Sequence, residues 1–267
     1  MPDYLPNRIV CLTEETTELL YLLGEQDRIV GISGYTVRPA NARKEKPRVS
    51  AFTSAKIDKI LELKPDLVLG FSDLQADIMA DLVRQGINVH VFNQRSIDEI
   101  LSMIRLLGAM VGAQDKALAW IDDFNTKADA LRGERIDKLK PRVYFEEWDD
   151  PIITGIQWVS ELIELAGGSD CFSDHGKQSL AKNRIVADHR EVIERKPDII
   201  IGSWCGKKFR PEKVAAREGW SEIPAVKNNH VYEIKSCDIL QPGPAALTDG
   251  LDQIRGYIEQ WRTQADG

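Results

Sequence analysis

Short apolar runs alternate along this chain with stripes at intervals of three and four, the rhythms of buried strands and amphipathic helices. Arg8 to Leu12 reads as a strand. A helix carrying Leu19, Leu20, Leu22 and Leu23 follows, with Thr13 as N-cap and Gly24 at its end. Arg28 to Ser33 is the next strand, and a strand–helix–strand unit predicts a parallel sheet with right-handed crossovers. Gly34 to Ser50, with Pro39 and Pro47, reads as a long loop of the kind that often binds ligands. Strand Asp66 to Phe71, helix Leu74 to Arg84 and strand Ile87 to Phe92 follow. A helix capped by Ser96, with Ile97, Ile100, Leu101, Ile104 and Leu107 on one face, closes a first lobe near Gly112.

Gln114 to Arg132 stands apart. Ala117, Trp120, Ile121, Phe124, Ala128 and Leu131 recur at helical spacing, opposite a polar face of Lys116, Asp122, Asp123, Lys127 and Asp129. At 1.5 Å per residue the helix spans roughly 27 Å. Beyond Pro141 the pattern resumes: strand Arg142 to Glu146, a loop from Glu147 to Gln157, and helix Trp158 to Ala166 ending at Gly167-Gly168. Ser169 to Ala187 is irregular, and Asp188 caps the next helix. Strand Asp198 to Gly202 precedes a helix opening at Pro211. Asn228-Asn229 turns into strand His230 to Ile234, and the final helix runs from about Ala245 to Arg262.

One phrase occurs twice. Lys59-Ile60-Leu61-Glu62-Leu63-Lys64-Pro65-Asp66-Leu67-Val68-Leu69-Gly70 is echoed by Glu191-Val192-Ile193-Glu194-Arg195-Lys196-Pro197-Asp198-Ile199-Ile200-Ile201-Gly202, 132 positions later. In each, a short helix ends before Lys-Pro, because proline restricts the residue ahead of it. Asp then opens an apolar run of the kind buried on both faces of a parallel sheet. Two such copies around a lone helix predict an α/β fold of two Rossmann-like lobes with parallel sheets, joined by a single long α-helix. The division is an N-terminal lobe 1–112, a connecting helix 113–133 and a C-terminal lobe 134–267.

Composition narrows the function without naming it. The 267 residues are 43% hydrophobic and 29% charged, ordinary for a globular protein. A net charge of −7, with no basic cluster beyond Arg43-Lys44-Glu45-Lys46, argues against nucleic acid as partner. The apolar stretches are far shorter than a membrane helix needs, and the opening Met1-Pro2-Asp3-Tyr4-Leu5 shows no secretory leader. Cys11 reads as a small core residue, and Cys171, Cys205 and Cys237 lack metal-ligand spacing.

Enzyme signatures are missing: there is no phosphate loop, no nucleophile elbow and no paired histidines. His90, His175, His189 and His230 are scattered, and the pairs Glu146-Glu147 and Asp149-Asp150 read as solvated loop residues. Aromatic residues do recur at the carboxyl ends of predicted strands, where open α/β sheets bind ligands. Tyr35, Phe52 and Phe71 hold such places in the first lobe, and Trp148 and Trp204 in the second, with Trp158 opening the adjacent helix. Core packing is the competing role for about half of them. Two facing lobes would line a cleft with aromatic surface.

These phrases together resemble the substrate-binding proteins of ABC importers for cobalamin, iron–siderophore chelates and haem. Arg8 to Leu12 with Glu18-Leu19, Gly31 to Tyr35, Val49-Ser50, Leu63 to Val68 and Leu165 to Gly168 match the family's recurring segments in order, from Arg8 to about Trp261. The cobalamin-binding members are the most similar. Gly34-Tyr35 resembles their Ser-Tyr, Phe52 and Phe71 fall on two pocket tryptophans, and Ser203 to Gly206 is similar to a Ser-Pro-Cys-Gly phrase.

The resemblance implies a monomeric, non-enzymatic, periplasmic binding protein that captures a corrinoid and has no intrinsic cofactor. Its ligand-binding residues are Tyr35, Phe52, Phe71, Trp148, Trp158 and Trp204. A ferric siderophore or haem is the alternative ligand, and Arg38, Arg184 and Arg210 near the predicted loops keep that choice open. Asp58 falls on the family's permease-docking position in the first lobe; in the second, Asp238 is only nearby. That departure and the missing leader leave a cytoplasmic corrinoid-handling protein as a second alternative. A two-lobed enzyme is the third.

Overall fold

The computed structural model describes residues 4–134 and 138–265. The outermost residues of the two expected lobes, and residues 135–137 at the start of the second, lie outside that range. The chain divides into two compact units, one of residues 1–94 and 98–123, the other of residues 95–97 and 124–267.

In the first unit the strands are β1 (Ile9–Cys11), β2 (Ile29–Ser33), β3 (Arg48–Ser50), β4 (Leu67–Phe71) and β5 (Val89–Phe92). They pair in the order β3-β2-β1-β4-β5, all parallel. The helices are α1 (Glu14–Leu22), α2 (Ala42–Glu45), α3 (Ile57–Glu62), α4 (Ala76–Arg84) and α5 (Ile97–Met110). The strand order reverses at β1, whose neighbours are β2 and β4, so the carboxyl ends of β1 and β4 form the crevice where such sheets bind ligands. Part of the expected loop 34–50 is structured. Ile32 donates its amide to Pro47 and Gly34 to Ser50, so three residues add an edge strand too short to show a period.

The long helix α6 (Gln114–Glu134) forms where the stripe places it, with Ala117, Phe124, Ala128 and Leu131 buried. Residues 114–123 belong to the first unit and 124–134 to the second.

The second unit departs from an all-parallel sheet. Its strands are β6 (Arg142–Asp149), β7 (Ile152–Thr154), β8 (Ser169–Asp170), β9 (Ile199–Gly202) and β10 (Val231–Glu233), ordered β10-β9-β6-β7, with β8 also on β6. The pairings β10–β9, β9–β6 and β6–β8 are parallel, but β7 folds back antiparallel on β6. The expected loop 147–157 is therefore mostly a hairpin. A strand that alternates Tyr144, Glu146 and Trp148 against Val143 and Phe145 looks too polar beyond Phe145 to be read as a strand.

Around this sheet lie α7 (Gln157–Leu165), α8 (Ser173–Gly176), α9 (Arg190–Arg195), α10 (Pro211–Ala215), α11 (Pro224–Lys227), α12 (Ser236–Ile239) and α13 (Leu251–Ala265). A π-helical stretch, Ala246–Gly250, runs directly into α13.

The repeated phrase has one physical meaning in both units. Lys64 and Lys196, each preceding proline, adopt left-handed conformations with φ of 47° and 45°. The following aspartates then clamp the amino end of the neighbouring strand. The Arg8 amide donates to Asp66 Oδ1 at 3.0 Å while the Asp66 amide donates to the Arg8 carbonyl at 3.0 Å. The Arg142 and Asp198 pair repeats the exchange at 2.8 Å and 2.8 Å. The closing glycines are needed for close approach. A Cβ on Gly70 would lie 1.8 Å from Met79 Cε, and one on Gly202 would lie 1.8 Å from the Phe209 ring.

Candidate functional site

At the carboxyl end of the first sheet, one neutral side chain organises the loops. Gln75 follows β4 and is fully buried. Its Oε1 accepts from the Phe71 amide at 2.9 Å, and its Nε2 donates to the carbonyls of Phe52 at 2.8 Å and Leu12 at 3.4 Å. It thus ties the ends of β1 and β4 to the loop after β3. Ser72, beside it, has φ of 57° and accepts from the Leu74 amide through Oγ. Tyr35 and Phe52 stand on this rim at 59% and 39% exposure, while Phe71 is buried at 5%.

The same end holds a group of acids at the start of α1. Glu14, Glu15 and Glu18 are all buried. Glu18 pairs with Arg38 at 2.9 Å. Thr13 holds the expected N-cap position with extended backbone, but its hydroxyl donates to Glu15 Oε1 at 2.6 Å and makes no capping bond to a backbone amide. Burial, reinforced by the neighbouring carboxylates, pushes Glu14 up to about 8, and burial pushes Glu15 up to about 7.

In the second unit the corresponding place is ionic. Glu146, expected as a solvated loop residue, has no exposed surface, because its strand continues past it. Its carboxylate accepts from Tyr144 Oη at 2.8 Å, Trp204 Nε1 at 3.0 Å, and Arg217 Nη1 and Nη2 at 2.6 and 2.9 Å. Burial and this neighbouring carboxylate hold the Tyr144 hydroxyl well above its ordinary pKa. Glu147 takes Arg184 at 2.6 Å, and Asp149 takes Lys207 at 2.5 Å.

The tryptophans take different places around this network. Trp204 is 3% exposed and packs edge-on to Phe209. Trp158 is 4% exposed, with its indole N–H donated to the Ile239 carbonyl at 2.9 Å. Trp148 is half-buried and donates to the Asp150 carbonyl at 3.0 Å. Lys207 brings Trp148 and Trp204 together, its Nζ lying 5.5 and 5.0 Å from the two rings.

Two further residues complete the set. Asp58 is exposed on α3. Asp238 is half-buried on α12 and accepts from Gln253 Nε2 at 3.3 Å. The sequence reading missed Gln75 and Glu146. The signal for Glu146 was the alternation with Tyr144 and Trp148; for Gln75 no local signal exists, since its partners come from three separate segments.

Comparison with known proteins decides the family, for residues 9–237 match the model of the periplasmic binding protein family. The chain belongs to that family. Its members are substrate carriers of ABC importers rather than enzymes. A vitamin B12-binding protein of Vibrio parahaemolyticus is 26% identical over 243 residues, covering 90% of this chain and 85% of the relative. The periplasmic vitamin B12-binding protein BtuF of Vibrio cholerae is 25% identical, with a TM-score of 0.76 over 96% of this chain and 98% of that one. The periplasmic haem-binding protein RhuT of Roseiflexus sp. RS-1 shares the fold, with 21% identity, a TM-score of 0.77 and coverage of 94% and 99%. Among the described residues no helix is long and apolar enough to cross a membrane.

Proposed function

We propose that this binding protein captures a corrinoid, on aromatic surfaces at the carboxyl ends of its strands. The observation that carries the ligand class is the state of the cations there. Anionic siderophores and haem carboxylates call for available arginines. Of the three arginines near the predicted loops, Arg38 is engaged by Glu18 and Arg184, 2% exposed, by Glu147. Arg210 is exposed and meets Glu212 only at 3.8 Å. Arg217 and Lys207 are likewise held by Glu146 and Asp149. Apart from Arg210, what remains open to a ligand is apolar ring surface on Tyr35, Phe52 and Trp148, suited to a broad neutral macrocycle. Phe71, Trp158 and Trp204 are buried and serve this site as packing. The relatives named for vitamin B12 support the same reading.

In this reading the protein works as a monomer in the periplasm, and the exposed Asp58 and half-buried Asp238 supply acidic contacts to an ABC permease. Titration with cyanocobalamin, haemin and ferric siderophores, followed by tryptophan fluorescence, tests the ligand. Cyanocobalamin is expected to quench at the lowest concentration, and Trp148→Ala or Phe52→Ala to weaken it about tenfold or more without unfolding the protein. Tight binding of a siderophore or haemin with no response to cyanocobalamin overturns the corrinoid assignment.

A further inference from the structure

Lys207 reaches from the loop after β9 to the end of β6. Its amide donates to the Trp204 carbonyl at 3.2 Å, closing a four-residue turn in which Gly206 takes φ of 71°. Glycine supplies the positive φ such a turn needs at its third residue, and the turn brings its first and last residues side by side. The lysine side chain therefore folds back over the Trp204 ring, with Nζ 5.0 Å from its centroid. The same ammonium stands 5.5 Å from the Trp148 ring and 2.5 Å from Asp149 Oδ2, on the last two residues of β6.

The two rings differ in what else holds them. Trp204 is buried, with Glu146 on its Nε1 and Phe209 edge-on to its ring. Trp148 is half-buried and packs at the edge of the cluster that contains Tyr144 and Trp204, with its Nε1 donated to the Asp150 carbonyl two residues away. The lysine side chain is 42% exposed, so its ion pair with Asp149 contributes little to folding stability. A cation shared by two indoles and a carboxylate does limit how far the more open ring can turn.

We propose that Lys207 is a positioning residue for ligand capture: it holds the Trp148 ring in the orientation that receives an apolar macrocycle. The proposal rests on the corrinoid reading above and deepens it by naming what sets that surface in advance. Asp149 neutralises the ammonium, so the lysine serves the ring rather than an anionic group on the ligand. Without it the ring has to be ordered at the moment of binding, and that cost lowers affinity.

The whole protein tests this with two substitutions. Lys207→Met keeps most of the stem and removes the charge; Lys207→Arg keeps the charge. In calorimetric titration with cyanocobalamin, Lys207→Met is expected to bind about three- to tenfold more weakly, the cost of ordering one side chain, and Lys207→Arg to stay within about twofold of wild type. The urea midpoint should be unchanged in both. In the ligand-free protein, acrylamide should quench tryptophan emission more strongly in Lys207→Met, and that increase should vanish when Trp148→Phe is added. Binding by Lys207→Met as tight as wild type or tighter, Lys207→Arg as weak as Lys207→Met, or quenching unaltered by the loss of charge overturns the proposal. Failure of the wild-type protein to bind cyanocobalamin overturns the corrinoid reading and the role in capture with it; the quenching comparison, which needs no ligand, decides separately whether Lys207 holds Trp148.

Discussion

The two sheets solve the same problem with opposite chemistry. Each must hold several loops at the carboxyl ends of its strands, and each does so with one fully buried polar side chain. In the first unit that side chain is Gln75, whose amide reaches only backbone groups. In the second it is Glu146, whose carboxylate reaches a phenol, an indole and a guanidinium. A neutral hub can lose its partners at modest cost. An ionic hub is held by strong contacts but leaves a buried charge behind when one partner goes.

The sharpest test of that contrast is Glu146→Gln. It leaves Arg217, whose side chain is 19% exposed, facing a neutral amide and should cost about 3–5 kcal/mol in urea unfolding. Removing both charges, as Glu146→Gln with Arg217→Met, should recover part of that loss, which a double-mutant cycle reads directly. Gln75→Ala removes three hydrogen bonds from the first sheet yet buries no charge, so about 1–3 kcal/mol is expected. If Gln75→Ala proves as damaging as Glu146→Gln, the distinction between the hubs collapses.

Charge also separates the units in their response to pH. Glu146 has a guanidinium, whereas Glu14 and Glu15 of the first unit form no ion pair among the described residues. For Glu14, burial, Glu15 and Glu18 outweigh the opposing influence of Arg43; for Glu15, burial and Glu18 outweigh the Thr13 hydrogen bond. Both folded-state values, about 8 and about 7, lie above the ordinary glutamate value of about 4.5. The folded protein therefore holds protons that the unfolded chain releases. Stability should be greatest below about pH 4.5 as far as these groups are concerned, and fall as pH rises to about 8. The slope is at most about 1.4 kcal/mol per pH unit for each carboxyl. Glu15→Gln should flatten the part of the decline below about pH 7; an unaltered slope would mean that Glu15 is ionised throughout.

Legibility in the sequence followed the range of the interactions. The helix α6, the first parallel sheet and both copies of the Lys-Pro-Asp phrase were readable because each is written in contiguous spacing. The aromatic rim was readable only as a set. Tyr35, Phe52, Phe71, Trp148 and Trp204 do lie at or next to strand ends, but nothing local separates the exposed Phe52 from the buried Trp204, whose indole is drawn inward by Glu146, 58 residues away. The hairpin of β6 and β7 was missed for the same reason. Glu146 looks like a loop residue until Arg217, Tyr144 and Trp204 are seen around it.

The smallest effect probes where the two units agree. Lys64 and Lys196 both hold φ near +45°, a conformation that costs an ordinary side chain about 1–2 kcal/mol and glycine nothing. Glycine loses more backbone freedom on folding, about 0.5–1 kcal/mol, so the net gain from Lys→Gly should be a few tenths to about 1 kcal/mol at each site. The Lys64 carbonyl, which accepts from Arg8 Nε at 3.0 Å, is kept by the substitution. Lys64→Ala and Lys196→Ala are the controls, since alanine retains the strain and gains nothing from it. Matching small rises in the unfolding midpoint for both glycine variants, absent in both alanine variants, would show that the two copies share a backbone solution as well as a sequence. A gain at one copy and a loss at the other would mean that one lysine side chain holds its unit together by a contact its counterpart does not make.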